Sequence, residues 1–213
     1  MATLDLQEQE QVEALKAWWQ ENGRMVMLSI AVVLVGFAGI QLWRSQQAKQ
    51  AGEASALFAE VGKQVASKDP KRVNDAAQAV IDRFGSSAYA SRAELLAVEA
   101  NIQAKDIAKA KTQLQWVLDH AKEEGLQNLA RLKLASLLLD EKNYAEALNL
   151  LGAKHPESFD ALYSDLKGDV LVAQGKTEEA RAAYQVAYDR MDDKSTYRNL
   201  IQMKLDSVGG AKK

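Results

Sequence analysis

Asp165 to Ala187 reads DLKGDVLVAQGKTEEARAAYQVA, and one period earlier Leu132 to Lys154 reads LKLASLLLDEKNYAEALNLLGAK. Laid over one another, Leu134-Ala135, Leu138, Tyr144, Ala147 and Leu151 fall on Lys167-Gly168, Leu171, Thr177, Ala180 and Tyr184, every step being 33 positions. In each copy a small residue (Ala135, Gly168) precedes a second small residue (Ala147, Ala180) by 12 positions, and a larger side chain (Leu151, Tyr184) follows four later. Two antiparallel helices approach closely only where small side chains face each other, and larger ones a turn away fill the flanking holes. Gly175 supplies a helix stop between the two halves of its copy. A period of this length reads as a stack of helix pairs.

Outward from these two copies the pattern loosens. A third is centred on Ala110, preceded by Ala97-Val98 and followed by Leu114; its spacing of 37 to Ala147 implies an insertion near Glu123-Gly125. A half-match surrounds Ala76 and Ala77, and Ser195 to Ser207 reads as a closing helix. Three to four units and a cap satisfy the requirement that such pairs be stacked to bury their apolar faces. Helix starts are expected at Asp69-Pro70, Ser87, Asp106, Asn143, Thr177 and Ser195, with Pro156 in a first turn. The helix from Asp106 is expected to end near Glu124-Gly125. No alternating strand pattern flanked by turn signals occurs. The repeats resemble the tetratricopeptide repeat, best in Asp165-Leu166-Lys167-Gly168 through Gly175, Ala180, Tyr184 and Ala187. The copy departs from that family in lacking an early Trp and in having Lys167 at an expected Leu. The fold class is therefore all-α: a single N-terminal transmembrane helix followed by a tetratricopeptide-repeat-like right-handed helical solenoid.

The transmembrane reading rests on Met25 to Trp43, MVMLSIAVVLVGFAGIQLW, a run without a single charge. At about 1.5 Å per residue it spans roughly 28 Å, close to the hydrocarbon thickness of a bilayer. Trp18, Trp19 and Trp43 flank the stretch, with Arg24 and Arg44 as polar stops. A cleaved signal peptide has a shorter apolar region and a basic leader. Here Asp5, Glu8, Glu10, Glu13 and Glu21 outnumber Lys16 and Arg24, and Arg44-Ser45-Gln46-Gln47 follows instead of a small-residue cleavage site. An uncleaved signal anchor is expected. The residues before it, Gln7 to Glu21, place Val12, Leu15 and Trp19 on one helix face, with Asn22-Gly23 as a stop. Ser45 to Ala66 holds no proline, which lets a helix continue beyond the anchor. The expected organisation is a segment over 1–24, the anchor over 25–43, a juxtamembrane helix over 44–69, the repeats with their closing helix over 70–207, and a frayed tail over 208–213. Charge bias across the anchor is slight and leaves the orientation open.

Composition narrows the chemistry. Among 213 residues there are 27 basic and 29 acidic ones, a net charge of −2, so no basic stripe marks a nucleic-acid binder and no nucleic acid is expected as a partner. Cysteine is absent, which excludes a disulfide framework, a thiol nucleophile and Cys-ligated zinc. His120 and His155 have no His or Cys at ligand spacing and read as surface residues. Ser164-Asp165-Leu166-Lys167 matches a Ser-x-x-Lys pattern, but its companion motifs are missing. No glycine-rich phosphate loop occurs. The reading is of a protein with no catalytic residues, no cofactor and no metal.

The whole chain is similar to the YfgM family, ancillary subunits of the bacterial Sec translocon with a tetratricopeptide-like domain. Four places carry the likeness in a shared order: Glu10-Gln11-Val12-Glu13-Ala14-Leu15-Lys16 with Glu21-Asn22-Gly23; the single anchor; Asp165-Leu166-Lys167-Gly168-Asp169 with Gly175-Lys176 and Ala180-Arg181; and Ile201-Gln202-Met203-Lys204-Leu205. The resemblance implies an inner-membrane single-pass protein, N-terminus cytoplasmic and repeat domain periplasmic. It also implies partners: the SecYEG translocon, a membrane-anchored periplasmic isomerase-like chaperone of the PpiD type, emerging or unfolded secreted proteins, and the lipid bilayer. A membrane-tethered adaptor with a regulatory role, acting in part through its N-terminal segment, is the alternative. In tetratricopeptide arrays the first helix of each unit lines a concave groove. That geometry puts Leu95, Ile102, Leu129, Leu132 and Ser136 at the groove, and beyond them Leu139, Leu162, Asp165, Asp169 and Val172. The set is mostly apolar and lacks the Lys, Arg and Asn of repeats that clamp a terminal carboxylate, so side chains of an extended or partly folded segment are the expected ligand.

Overall fold

The computed structural model describes residues 6–209; the frayed tail expected over 208–213 lies, from residue 210 on, outside the described residues. The order is α1 (Leu6–Ala66), α2 (Pro70–Phe84), α3 (Ala88–Gln103), α4 (Ile107–His120), α5 (Glu124–Asp140), α6 (Tyr144–Leu151), a 3-10 turn (Glu157–Phe159), α7 (Asp160–Ala173), α8 (Thr177–Arg190) and α9 (Tyr197–Ser207). No strand occurs among the described residues. Two compact units divide between Gly52 and Glu53.

The first unit is one apolar-centred helix. Asn22-Gly23 does not stop it: α1 continues through both residues. The Asn22 side chain donates back to the Trp18 carbonyl (3.1 Å), and Gly23 lies under the Trp19 indole. Poor helix formers cost about 1 kcal/mol each at most, less than interrupting a helix about to enter an apolar medium that demands every backbone bond. Val33, Leu34 and Val35 point in successive directions around the helix, and 69%, 61% and 73% of each is exposed. No face of this stretch is buried by protein, which is the condition of a helix solvated by lipid chains. The Ser29 hydroxyl is satisfied within the helix by the Met25 carbonyl (2.9 Å).

In the second unit one turn recurs. Lys68, Lys105, Lys142 and Gly175 adopt φ of 55°, 62°, 61° and 75°, and their numbers rise by 37, 37 and 33. Each ends one helix and reverses the chain into the next. The following amide closes the turn onto a carbonyl further back: Asp106 to Asn101 (2.9 Å), Asn143 to Leu138 (2.8 Å) and Lys176 to Leu171 (2.9 Å). The helix pairs are therefore the end of α1 with α2, α3 with α4, α5 with α6 and α7 with α8, followed by α9. The same steps align Val61/Val73, Val98/Ala110, Ala135/Ala147 and Gly168/Ala180, the two members equally spaced in every pair and all of them buried. Gly168 lacks a Cβ because the Tyr184 ring occupies the space one would need.

This register corrects several details. The unit heralded by Ala76 and Ala77 is centred on Val73, and its first helix is the end of α1, where Val61 packs with Val73, Ala77 and Val80. The longer step occurs twice, so it does not mark an insertion near Glu123-Gly125; the third unit is short instead, because α6 has 8 residues against 14 in α4 and α8. Helix α4 ends at His120, earlier than expected. The turn after it is fixed by the Gln127 amide donating to the Ala121 carbonyl (2.6 Å) and by Arg92 gripping the Glu123 carboxylate (2.9 and 2.7 Å). Pro156 stands in extended backbone before the 3-10 turn, not inside α7. Asp69 and Asp106 cap as expected, through Lys71, Arg72 and Lys109 amides. Ser87 precedes α3 in extended conformation without a side-chain capping bond.

Because a left-handed backbone costs a side-chain-bearing residue about 1–2 kcal/mol, offset in part by the unfolded-state freedom of glycine, Lys142→Gly should stabilise by about 0.5 kcal/mol and Gly175→Ala should destabilise by about 1 kcal/mol. Denaturant unfolding of the full chain in detergent measures both; a reversal of either sign would sink the register.

Candidate protein-binding face

The first helices of successive units present equivalent positions in rungs. Leu95, Leu132 and Asp165 form one; Ile102, Leu139 and Val172 form another. Leu129 and Leu162, and likewise Ser136 and Asp169, are related by the step that carries Ala147 onto Ala180. The ten residues nevertheless differ in environment. Leu95 is buried in the main core, and Ile102, Leu132 and Leu139 are partly buried against it. Leu129 (39%), Leu162 (38%) and Val172 (45%) are exposed apolar side chains, and Ser136 is exposed beside them.

Asp165 and Asp169 are held within the fold. The Lys204 ammonium from α9 donates to both Asp165 carboxylate oxygens (2.9 and 2.8 Å) and to Asp169 (2.8 Å). Tyr197 donates to Asp165 (2.8 Å) and Tyr184 to Asp169 (2.7 Å). Burial pulls the Lys204 pKa down, but the hydrogen bonds and negative charges of the two aspartates outweigh it and leave it above the usual lysine value. Burial first, then those aspartates, push both tyrosine hydroxyls up. Asp165 is 3% exposed, so an unpaired carboxylate there would be strongly destabilising. The two acids thus dock the closing helix onto the last pair.

Comparable polar links join the other elements. Glu99 of α3 pairs with Lys133 of α5. Tyr163 of α7 donates to Asn128 of α5 (2.7 Å), and Arg131 donates to both Asn128 (3.0 Å) and the Tyr163 hydroxyl (3.1 Å). Asn74, Asn101 and Gln113 close a ring across α2, α3 and α4 at 2.6 to 3.1 Å. His155 is not a surface residue: it stacks on Tyr163 (3.8 Å between ring centres), with Nε2 3.3 Å from Asp160. These links have no local sequence signal, because their members come from different helices far apart in the chain; only the repeat register, extended to α9, could have suggested them.

Glu94, on the buried side of α3, is the exception to this matching. Burial lifts its pKa to about 7, against the lowering effects of the Gln113 hydrogen bond and the Lys109 charge. The folded chain therefore keeps a proton between about pH 4.5 and 7 that the unfolded chain releases. The associated stability is complete below the unfolded pKa and is lost as pH rises through about 7. Glu94→Gln should flatten the decline in stability between about pH 5 and 7.5 and raise stability at about pH 8 by roughly 2 kcal/mol. Unfolding midpoints across that range test this; parallel declines in wild type and variant would refute it.

Geometry and sequence together define a class: a helical-repeat protein with an apolar first-helix face and a helix long and apolar enough to cross a membrane. A family model described as a tetratricopeptide repeat-like domain matches residues 16–210. The ancillary SecYEG translocon subunit of Neisseria gonorrhoeae is 31% identical over 204 residues, covering 95% of this chain and 98% of the relative. Its namesakes in Haemophilus influenzae and Escherichia coli K12 are 26% and 25% identical over 207 and 201 residues, covering 95% and 94% of this chain and 98% and 96% of theirs. No solved structure matches. The chain belongs to the tetratricopeptide repeat-like family of ancillary SecYEG translocon subunits, a family of the scaffold kind.

Proposed function

We propose that the chain is a membrane-anchored protein-binding subunit, of chaperone or scaffold type, that associates with the SecYEG translocon and helps pass secreted chains to periplasmic folding factors. The observation that carries this reading is the exposure of Leu129, Leu162 and Val172 on the first helices of successive units. Apolar side chains repeating along a stack suit an extended or partly folded chain, whose own side chains can enter between rungs. The cations on and beside this face favour the same ligand. Arg92, Lys133 and Lys204 are each already paired, with Glu123, Glu99 and the two aspartates, and Arg131 is engaged by Asn128 and Tyr163, so none of the four stands ready to clamp a terminal carboxylate. A weak apolar face gains from tethering, which raises its effective concentration at one place on the membrane. The names of the relatives supply the translocon as that place. A membrane-anchored isomerase-like chaperone of the PpiD type is the folding factor in this reading. The repeat domain is periplasmic, the N-terminus cytoplasmic, and the anchor lies in the inner membrane.

A photo-crosslinking amino acid at Leu129, Leu162 or Val172 in living cells should yield adducts with translocon components and newly secreted chains, while the same group at exposed Ala182 of α8 should not. Leu129→Asp with Leu162→Asp should cut adducts from Val172 about tenfold, equivalent to about 1.4 kcal/mol. Equal adducts from Ala182, or an unchanged yield in the double variant, would contradict the proposal. Protease added to intact spheroplasts should digest the repeat domain; protection would favour the membrane-tethered adaptor, with its repeats in the cytoplasm.

A further inference from the structure

A second recess lies on the layer of second helices, independent of the face just described. It is a groove of about 510 Å³ between α4 and α6, floored by Leu134 and Leu138 and walled by Trp116 and His120. The two rings are stacked, with centres 4.5 Å apart and planes 9° from parallel. The groove lies beside α6, which has 8 residues against 14 in α4 and contributes Glu146 to the lining.

Its charges are unbalanced. Lys111 at the rim is paired with Glu141 (2.6 Å). Asp119 and Glu146, which also line the groove, are not paired: Asp119 accepts from the Gln115 amide (2.9 Å) and Glu146 from the Asn143 amide (2.6 Å). Among the described residues neither has a cationic side chain within 4.0 Å. An aromatic wall and two carboxylates lacking a cation are complementary to one ligand chemistry. A planar guanidinium stacks on an aromatic face and offers paired N–H donors to carboxylates; an ammonium supplies the charge without the plane. The aliphatic stem of the same side chain would lie along the narrow apolar floor that the largely buried Leu134 and Leu138 leave accessible.

We propose that this groove binds an arginine side chain on a segment of a partner protein, its guanidinium between the Trp116–His120 pair and the carboxylates of Asp119 and Glu146. Affinity for one side chain is weak, and the site acts as a secondary anchor that fixes a partner's position on the repeat domain.

The test uses the full chain in detergent micelles with 5-fluorotryptophan at its four tryptophans, the Trp116 signal being assigned by Trp116→Phe. The probe is the peptide acetyl-GSRSG-amide, compared with its lysine and citrulline counterparts. The arginine peptide should shift the Trp116 fluorine resonance saturably, leaving Trp18, Trp19 and Trp43 unmoved. The lysine peptide should bind about threefold more weakly and the uncharged citrulline peptide should not saturate. Asp119→Asn with Glu146→Gln should weaken the arginine peptide at least about tenfold without changing the unfolding midpoint. Absence of a saturable shift, an equal response to citrulline, or undiminished binding by the folded double variant would each overturn the proposal.

Discussion

The second unit depends on one steric constraint: paired helices must come close at a single level, and only small or slender side chains permit it. Val61/Val73, Val98/Ala110, Ala135/Ala147 and Gly168/Ala180 occupy that level in the four pairs, all buried. The last pair shows the constraint most sharply, since the Tyr184 ring takes the space of a Cβ at Gly168. Close approach lets Leu114, Leu134, Leu138 and Leu151 fill the flanking volume and join neighbouring pairs in one core. Stability then spreads along the stack through nearest-neighbour contacts.

Shape alone would not fix how one pair sits on the next. That specification comes from polar links between elements far apart in sequence: the Asn74–Asn101–Gln113 ring, Glu99 with Lys133, Tyr163 with Asn128 and Arg131, and Lys204 with Asp165 and Asp169. The polar groups of these links are tolerated in the interior because each finds a partner there, and a satisfied network disfavours displaced stacking. The same matching leaves the first-helix face with apolar side chains exposed and with Arg92, Arg131 and Lys133 engaged by neighbouring side chains, which is the chemical character expected of a surface for apolar segments.

Much of the architecture was legible in the sequence because it follows from local rules. The period, the small-residue spacing, the caps at Asp69 and Asp106 and the charge-free run from Met25 to Trp43 each have a mechanism that acts over a few residues. Local rules fail where tertiary context decides. Asn22-Gly23 carries a stop signal that the apolar run overrides. The left-handed turns at Lys68, Lys105 and Lys142 were hidden because a lysine there carries no signal, whereas Gly175 does. Without them the first pair could not be put in register, and the end of α1 read as a plain juxtamembrane helix. At the face, periodicity located the rungs but not the environments: nothing near Asp165 in sequence announces Lys204, which arrives on a different helix at the end of the domain.

The central claim is that close-fitting pairs form one continuous stack in the second unit, while the apolar stretch of the first is solvated by lipid. Hydrogen–deuterium exchange on the full chain in detergent, comparing wild type with Ala147→Phe, tests it most directly. A ring forced into the tightest level of the third pair should lower protection in α5 and α6 and, through shared packing, in α4 and α7, while residues 25–43 stay as protected as before. Loss confined to α6, or no loss at all, would contradict the account.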